Sequence, residues 1–275
     1  MTVTADVDGV PISALVREVP DPRAVVVALH GGAASAAYFH YPGCEKLSLV
    51  DFFATRGFTV VALDRPGYGA SSLAGNDLGD AGKRVELAYA AVDRLVSKRG
   101  AGLFLLAHSA GSELAVRMAS SPVDDLLGVE LAGTGRRFQP EAAEVVFARQ
   151  NGSGPIGLQK LLWEPRELYP PEALGGARFV ARAPAYESEL LARWAPREFA
   201  LEAPRVRVPV QYTLGEYDRI WRNDSESMAE VASLFTGSPR VVVNRQPGGG
   251  HNLSLGLTAP DYHARVLSFV ERCLR

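Results

Sequence analysis

A serine that follows a short apolar run and precedes a helical pattern is the first residue of this chain whose setting suggests chemistry. The run Gly102-Leu103-Phe104-Leu105-Leu106-Ala107-His108 leads to Ser109-Ala110-Gly111, and Ser112 to Met118 carries helical periodicity. Ala107-His108-Ser109-Ala110-Gly111 is one methyl group away from Gly-x-Ser-x-Gly. That turn joins a strand to a helix so tightly that the serine backbone is strained and its Oγ projects from the sheet edge. Small flanking residues are required there, because larger side chains would strike the adjacent strand or helix.

A serine hydroxyl is a poor nucleophile at neutral pH and needs a base, commonly an imidazole oriented by a carboxylate. The chain has five histidines. His108 precedes the serine on its strand, so its side chain is expected on the opposite side. His30 ends a strand and belongs to loop scaffold, while His40 sits among Tyr38, Phe39 and Tyr41 as a loop or packing residue. His263 falls in the last helical stretch as a surface or packing residue. His251 differs: it follows Gly248-Gly249-Gly250, and such a loop lets an imidazole reach toward a neighbouring strand end. For the carboxylate, Asp218 lies a few residues past the apolar run that ends at Leu214. Glu216 is the second candidate, and Glu130, inside a strand pattern, a distant third.

The elements that must position these groups alternate along the chain. Thr2–Val7 and Ile12–Val19 alternate polar and apolar residues around Asp8-Gly9, the signature of a hairpin. Ala24–Leu29, Phe58–Leu63, Leu103–His108, Leu126–Ala132, Val210–Leu214 and Val241–Asn244 are short apolar runs suited to strands, the earlier ones apolar enough to be covered on both faces. Helical patterns cover Lys46–Thr55, Leu78–Lys98 and Asp261–Leu274. Strands alternating with helices predict a mostly parallel sheet with helices on both faces, and functional groups gather at the carboxyl ends of such strands. The span from about 136 to 207 breaks the alternation with proline-punctuated helical pieces, among them Trp163, Tyr169, Tyr186 and Trp194. A structureless loop of that length would be improbable, so it is expected to form a small helical insertion over the strand ends, with residues 1–135 and 208–275 as the core.

The order Ser109, Asp218, His251 is nucleophile, acid, base. Together with His30-Gly31-Gly32 and Asp64-Arg65-Pro66-Gly67-Tyr68-Gly69-Ala70-Ser71, it gives a chain that resembles α/β-hydrolase-fold proteins over nearly its whole length. The resemblance implies a cap insertion after the sixth strand. It also implies an oxyanion hole made by the backbone N–H groups of Gly32 and Ala110, with Asp64 and Arg65 holding the loop beside the site. The activity it implies is cofactor-independent hydrolysis, through an acyl-serine, of an ester, thioester or lactone of a small to medium apolar acyl compound. A non-hydrolytic lyase or cyclase of this fold, or a slow-turnover ligand-binding protein, would carry the same residues. The serine excludes relatives that use an aspartate nucleophile.

Composition narrows the remaining classes. A formal net charge of -2 with 22% charged residues leaves no basic surplus for nucleic acid. The two cysteines, Cys44 and Cys273, have no metal-ligand spacing, and no metal or cofactor is expected. No apolar run approaches the roughly 20 residues that span a bilayer, and the first residues lack the pattern of a secretory leader. The expectation is a cytoplasmic protein acting on a small molecule, with its oligomeric state open.

Overall fold

The strand β3 (Val25–Leu29) is buried on both faces, and its side chains sort strictly by parity. Val25, Val27 and Leu29 enter one apolar cluster and Val26 and Ala28 the other. This is why the run contains no polar residue: a central strand of a doubly covered sheet has no solvent face. The computed structural model describes residues 1–41, 45–73, 76–121, 124–150 and 157–275; Cys44 and the Gly-Ser-Gly-Pro stretch at 152–155 lie outside them.

The described strands form one eight-stranded sheet ordered β1-β2-β4-β3-β5-β6-β7-β8. The hairpin β1 (Thr2–Val7) and β2 (Val10–Arg17) turns on Asp8 and Gly9, both at positive φ, and β2 runs antiparallel to β4 (Thr59–Leu63). All other neighbours are parallel: β3, β4, β5 (Leu103–His108), β6 (Leu126–Ala132), β7 (Val210–Gly215) and β8 (Val241–Gln246). On one face, α2 (Ala81–Leu95), α3 (Gly111–Ser120) and α8 (Ser225–Ser233) cover the cluster that includes Leu87, Leu114 and Met228. On the other, α1 (Leu49–Ala54) and α9 (Ala259–Cys273) contribute Phe53, Tyr262, Val266 and Phe269.

Two of the helices are shorter than their sequence patterns. The Lys46–Thr55 pattern resolves into a 3₁₀ turn and α1, because the Ser48 hydroxyl caps α1 by accepting from Asp51 N–H at 3.0 Å. The Leu78–Lys98 pattern yields only Ala81–Leu95, started by Asp80, whose carboxylate accepts from Lys83 N–H at 2.8 Å.

Between β6 and β7 lie α4 (Pro140–Gln150), α5 (Leu158–Leu161), α6 (Ala185–Arg193) and α7 (Phe199–Glu202). Trp163, Tyr169 and Trp194 of this span are buried, while Tyr186 is half-buried. The end of the span is fastened to α3: Arg117 donates to Glu113 of its own helix and to Glu198 and Glu202. Glu113 is also paired at 2.9 Å with the buried Arg84 of α2.

Candidate active site

Ser109 sits at the end of β5 with φ 51°, in the left-handed region that a non-glycine residue adopts only under constraint. Its N–H is held by Ala132 O at 2.8 Å and its carbonyl receives Ser112 N–H at 2.9 Å, so both sides of the strained residue are anchored. A methyl group on Gly111 would strike the Leu29 and His30 carbonyl oxygens, so α3 can pass this close to β3 only without a side chain there. Ala107 is fully buried within the sheet core, where its extra methyl group is accommodated.

The structure brings the three sequence-predicted residues together. The Ser109 hydroxyl donates to His251 Nε2 at 3.2 Å, and His251 Nδ1–H donates to Asp218 Oδ2 at 3.0 Å. The other Asp218 oxygen accepts Ile220 N–H at 2.8 Å and Trp221 N–H at 3.0 Å, which fixes the carboxylate plane. Asp218 and His251 are almost wholly buried, at 2% and 1% exposure, so their pairing is shielded from water. Ser109 alone of the three is partly exposed. The N–H groups of Gly32 and Ala110 have no hydrogen-bond partner among the described residues and flank the serine; Ala110 precedes α3, whose positive end adds to the local field.

The alternative acids lie elsewhere. Glu216 accepts Gly248 N–H at 3.0 Å and braces the glycine loop from outside. Glu130 is fully buried beneath α9, where Tyr262 donates to it at 3.3 Å; burial pushes its carboxyl up to about 7, against the neighbouring Thr213 and Gln211. The other histidines divide as follows. His30 is buried; its Nδ1–H donates to Gly31 O at 2.8 Å and its Nε2 accepts Arg65 N–H at 3.1 Å. Burial, with Arg65 nearby, keeps it well below the usual imidazole range and therefore neutral. His40 bonds Ser48, and His263 is wholly buried rather than on the surface.

His108 is closer to the site than its place on the strand suggested. It makes no bond to Ser109, but its Nε2–H donates to the His251 carbonyl at 3.0 Å and its ring stacks on Tyr38 with centroids 4.5 Å apart. Alternation along a strand gives the direction of a side chain but says nothing of which loop comes to meet it. Burial, with His251 beside it, lowers its pKa to about 3, so it stays neutral as a prop for the loop that carries His251.

The site opens into a cavity of about 750 Å³ bounded by Ser109, His251, Phe138, Val145, Leu162, Trp163, Phe179, Val180, Ile220 and Trp221 among others. Most of these come from the span between β6 and β7, whose residues also reach the His251 loop: Asn252 Nδ2 donates to Leu162 O at 2.8 Å and Asn252 N–H to Tyr169 Oη at 3.1 Å. Sequence reasoning missed Glu187, a buried carboxylate on α6 that faces Gly32, Arg65 and Tyr68. Its only local signal was an acidic residue at the start of a helix, which is common everywhere.

A mostly parallel α/β sheet with a strained serine between a strand and a helix defines a broad class of hydrolase folds. The sequence model of the alpha/beta hydrolase family matches residues 26–266, and the chain belongs to that family. Sequence comparison with curated proteins returns no match. Solved structures with the same fold include a lipase in open form (18% identity, 100% of this chain and 99% of that one, TM-score 0.72). A thermostable carboxyl esterase from Bacillus coagulans (18%, 100% and 99%, TM-score 0.70) is a second. A thioesterase domain from the curacin biosynthetic pathway (17%, 99% and 99%, TM-score 0.64) is a third. No helix among the described residues is long and apolar enough to cross a membrane.

Proposed function

We infer that this hydrolase cleaves an ester, thioester or lactone of a small to medium apolar acyl compound through an acyl-serine. The observation that carries this reading is the unbroken hydrogen-bond chain from Asp218 through His251 to Ser109, with Ser109 and His251 both facing the cavity and Asp218 behind them. The Ser109 Oγ attacks the carbonyl carbon while His251 Nε2 takes its proton. Asp218 keeps the Nδ1–H tautomer and stabilises the imidazolium that forms. Negative charge collects on the carbonyl oxygen, and the N–H groups of Gly32 and Ala110 receive it. Such a donor is worth about 3 kcal/mol of transition-state stabilisation. His251 then returns the proton to the departing alcohol or thiol. Water, deprotonated by the same nitrogen, releases the acid and restores the serine.

The apolar walls supply the reason for an apolar acyl group: burying each methylene of it contributes about 0.8 kcal/mol. In this reading residues 136–207 act as a cap on a core of residues 1–135 and 208–275. The test is intact-protein mass after exposure to a fluorophosphonate at pH 8. One adduct on wild type that is absent from Ser109→Ala is expected, followed by turnover on an ester and thioester panel. No adduct on wild type overturns the assignment.

A further inference from the structure

The loop that carries Gly32 is tied to one buried carboxylate of the insertion. Glu187, near the start of α6, is 2% exposed. Its Oε1 accepts Tyr68 O–H at 2.6 Å and Ala33 N–H at 3.3 Å, and its Oε2 accepts Arg65 Nη2 at 2.6 Å. Arg65 Nη2 also donates to Gly31 O at 3.0 Å, and Ala33 N–H is shared with Tyr68 Oη at 2.9 Å. From the same stretch of the insertion, Ala181 N–H donates to Ala33 O at 2.9 Å, and Val180 forms an antiparallel bridge with Ala34.

Ala33 has φ 50°, a left-handed conformation that an alanine keeps only where its surroundings over-determine it. The peptide bonds on either side of Gly32 are thus fixed from the insertion, through Gly31 O and Ala33 N–H. Glu187 Oε1 also lies only 2.7 Å from where a Cβ on Gly32 would be, so the same carboxylate roofs the donor. A bare carboxylate here would oppose an oxyanion electrostatically. Arg65, itself 1% exposed, neutralises it; burial works against its charge, but Glu187, Tyr68 and Tyr186 together outweigh burial and keep it charged.

We propose that Glu187 is a positioning residue: by bonding Arg65, Tyr68 and Ala33 at once, it aims the Gly32 N–H at the oxyanion, so that the seated insertion completes the hole. This rests on the serine-hydrolase reading above. Glu187→Gln keeps a neutral acceptor for Ala33 and Tyr68 but loses the charge facing Arg65; Tyr68→Phe removes the hydroxyl shared by Ala33 and Glu187. Each variant of the full chain is titrated with fluorophosphonate to count working sites. It is then assayed on p-nitrophenyl butyrate and with an alkyl boronic acid, whose tetrahedral adduct places an oxygen in the hole.

The expected result for Glu187→Gln is a kcat per titrated site lower by roughly 10- to 100-fold, less than or up to the loss of one donor. KM should stay within about threefold, and boronate affinity should weaken by the same factor as kcat. Tyr68→Phe should move the same way, by about tenfold. If both variants keep kcat per site within about twofold of wild type, the proposal falls, and it falls equally if only the number of titratable sites drops. A wild type that takes up no fluorophosphonate defeats the hydrolase reading and the proposal with it. A wild type that titrates beside unaltered variants defeats the proposal alone.

Discussion

Replacing Glu130 with glutamine should stabilise the protein in neutral to alkaline solution and change it little in acid. Glu130 is fully buried in β6 with Tyr262 donating to it at 3.3 Å, and its carboxyl is raised from 4.5 to about 7, chiefly by burial. The folded state therefore holds this proton more tightly than the unfolded chain does. Between about pH 4.5 and 7 the folded state binds more protons, so this group's contribution to stability falls as pH rises. At 1.36 kcal/mol for each pH unit between the two values, the penalty reaches about 3 kcal/mol above pH 7. At pH 5 it is about 1 kcal/mol.

Glutamine keeps an acceptor for Tyr262 and carries no charge to desolvate. Urea unfolding followed by the fluorescence of the three tryptophans should then show a Glu130→Gln advantage that grows by about 2 kcal/mol from pH 5 to pH 8. Hydrolysis per titrated site should be unchanged, because Glu130 touches neither His251 nor the cavity. A difference in unfolding free energy that is the same at both pH values would refute the reasoning. It would mean that the carboxyl is equally easy to ionise in both states.

Two further outcomes follow from the same structure. Asp218→Asn should lower kcat by about 10⁴-fold, as the same change does in another serine triad. Its asparagine can still accept Ile220 and Trp221 N–H, so circular dichroism should be unaltered; activity near wild type would move the acid elsewhere. His263 is buried, which depresses its pKa from 6.5 to about 3. A base that folding holds neutral contributes stability that is present above the unfolded value and lost as pH falls from about 6.5 toward 3. His263→Phe, beside Phe52 and Tyr262, should therefore lose about 2 kcal/mol less than wild type between pH 7 and pH 5 in the same unfolding assay. An unchanged slope would contradict this.

The parts of the molecule legible in the sequence are those whose cause is local. Val25–Leu29 and Val60–Leu63 had to be apolar at every position because both faces of those strands are covered, and that requirement is written in consecutive residues. Asp8-Gly9 announced its hairpin because only such residues take two positive φ values in succession. The small residues around Ser109 likewise reflect collisions with the adjoining strand and helix. Helix ends were misplaced where capping decided them: hydrophobic periodicity runs past Asp80 and Ser48, but the side-chain oxygens of those residues start the helices. His108 was misjudged because its partner, the His251 carbonyl, comes from a loop 143 residues away.

The contrast between Ser109 and Ala33 shows the physical limit of such reading. Both are non-glycine residues held at positive φ, 51° and 50°, and both line the same cavity. The constraint on Ser109 is its own strand and helix, so the pentapeptide around it carries a signature. The constraint on Ala33 is Tyr68, 35 residues on, and Glu187, 154 residues on. A conformation imposed from that distance leaves no local pattern, since Ala33 is an unexceptional residue in a small-residue loop. The span between β6 and β7 is thus tied to both loops beside Ser109. It holds the Gly31–Ala33 loop through Ala181 and Glu187 and the His251 loop through Leu162 and Tyr169. Lifting Glu187 off Arg65 would break a buried ion pair, at a cost of about 3 to 5 kcal/mol.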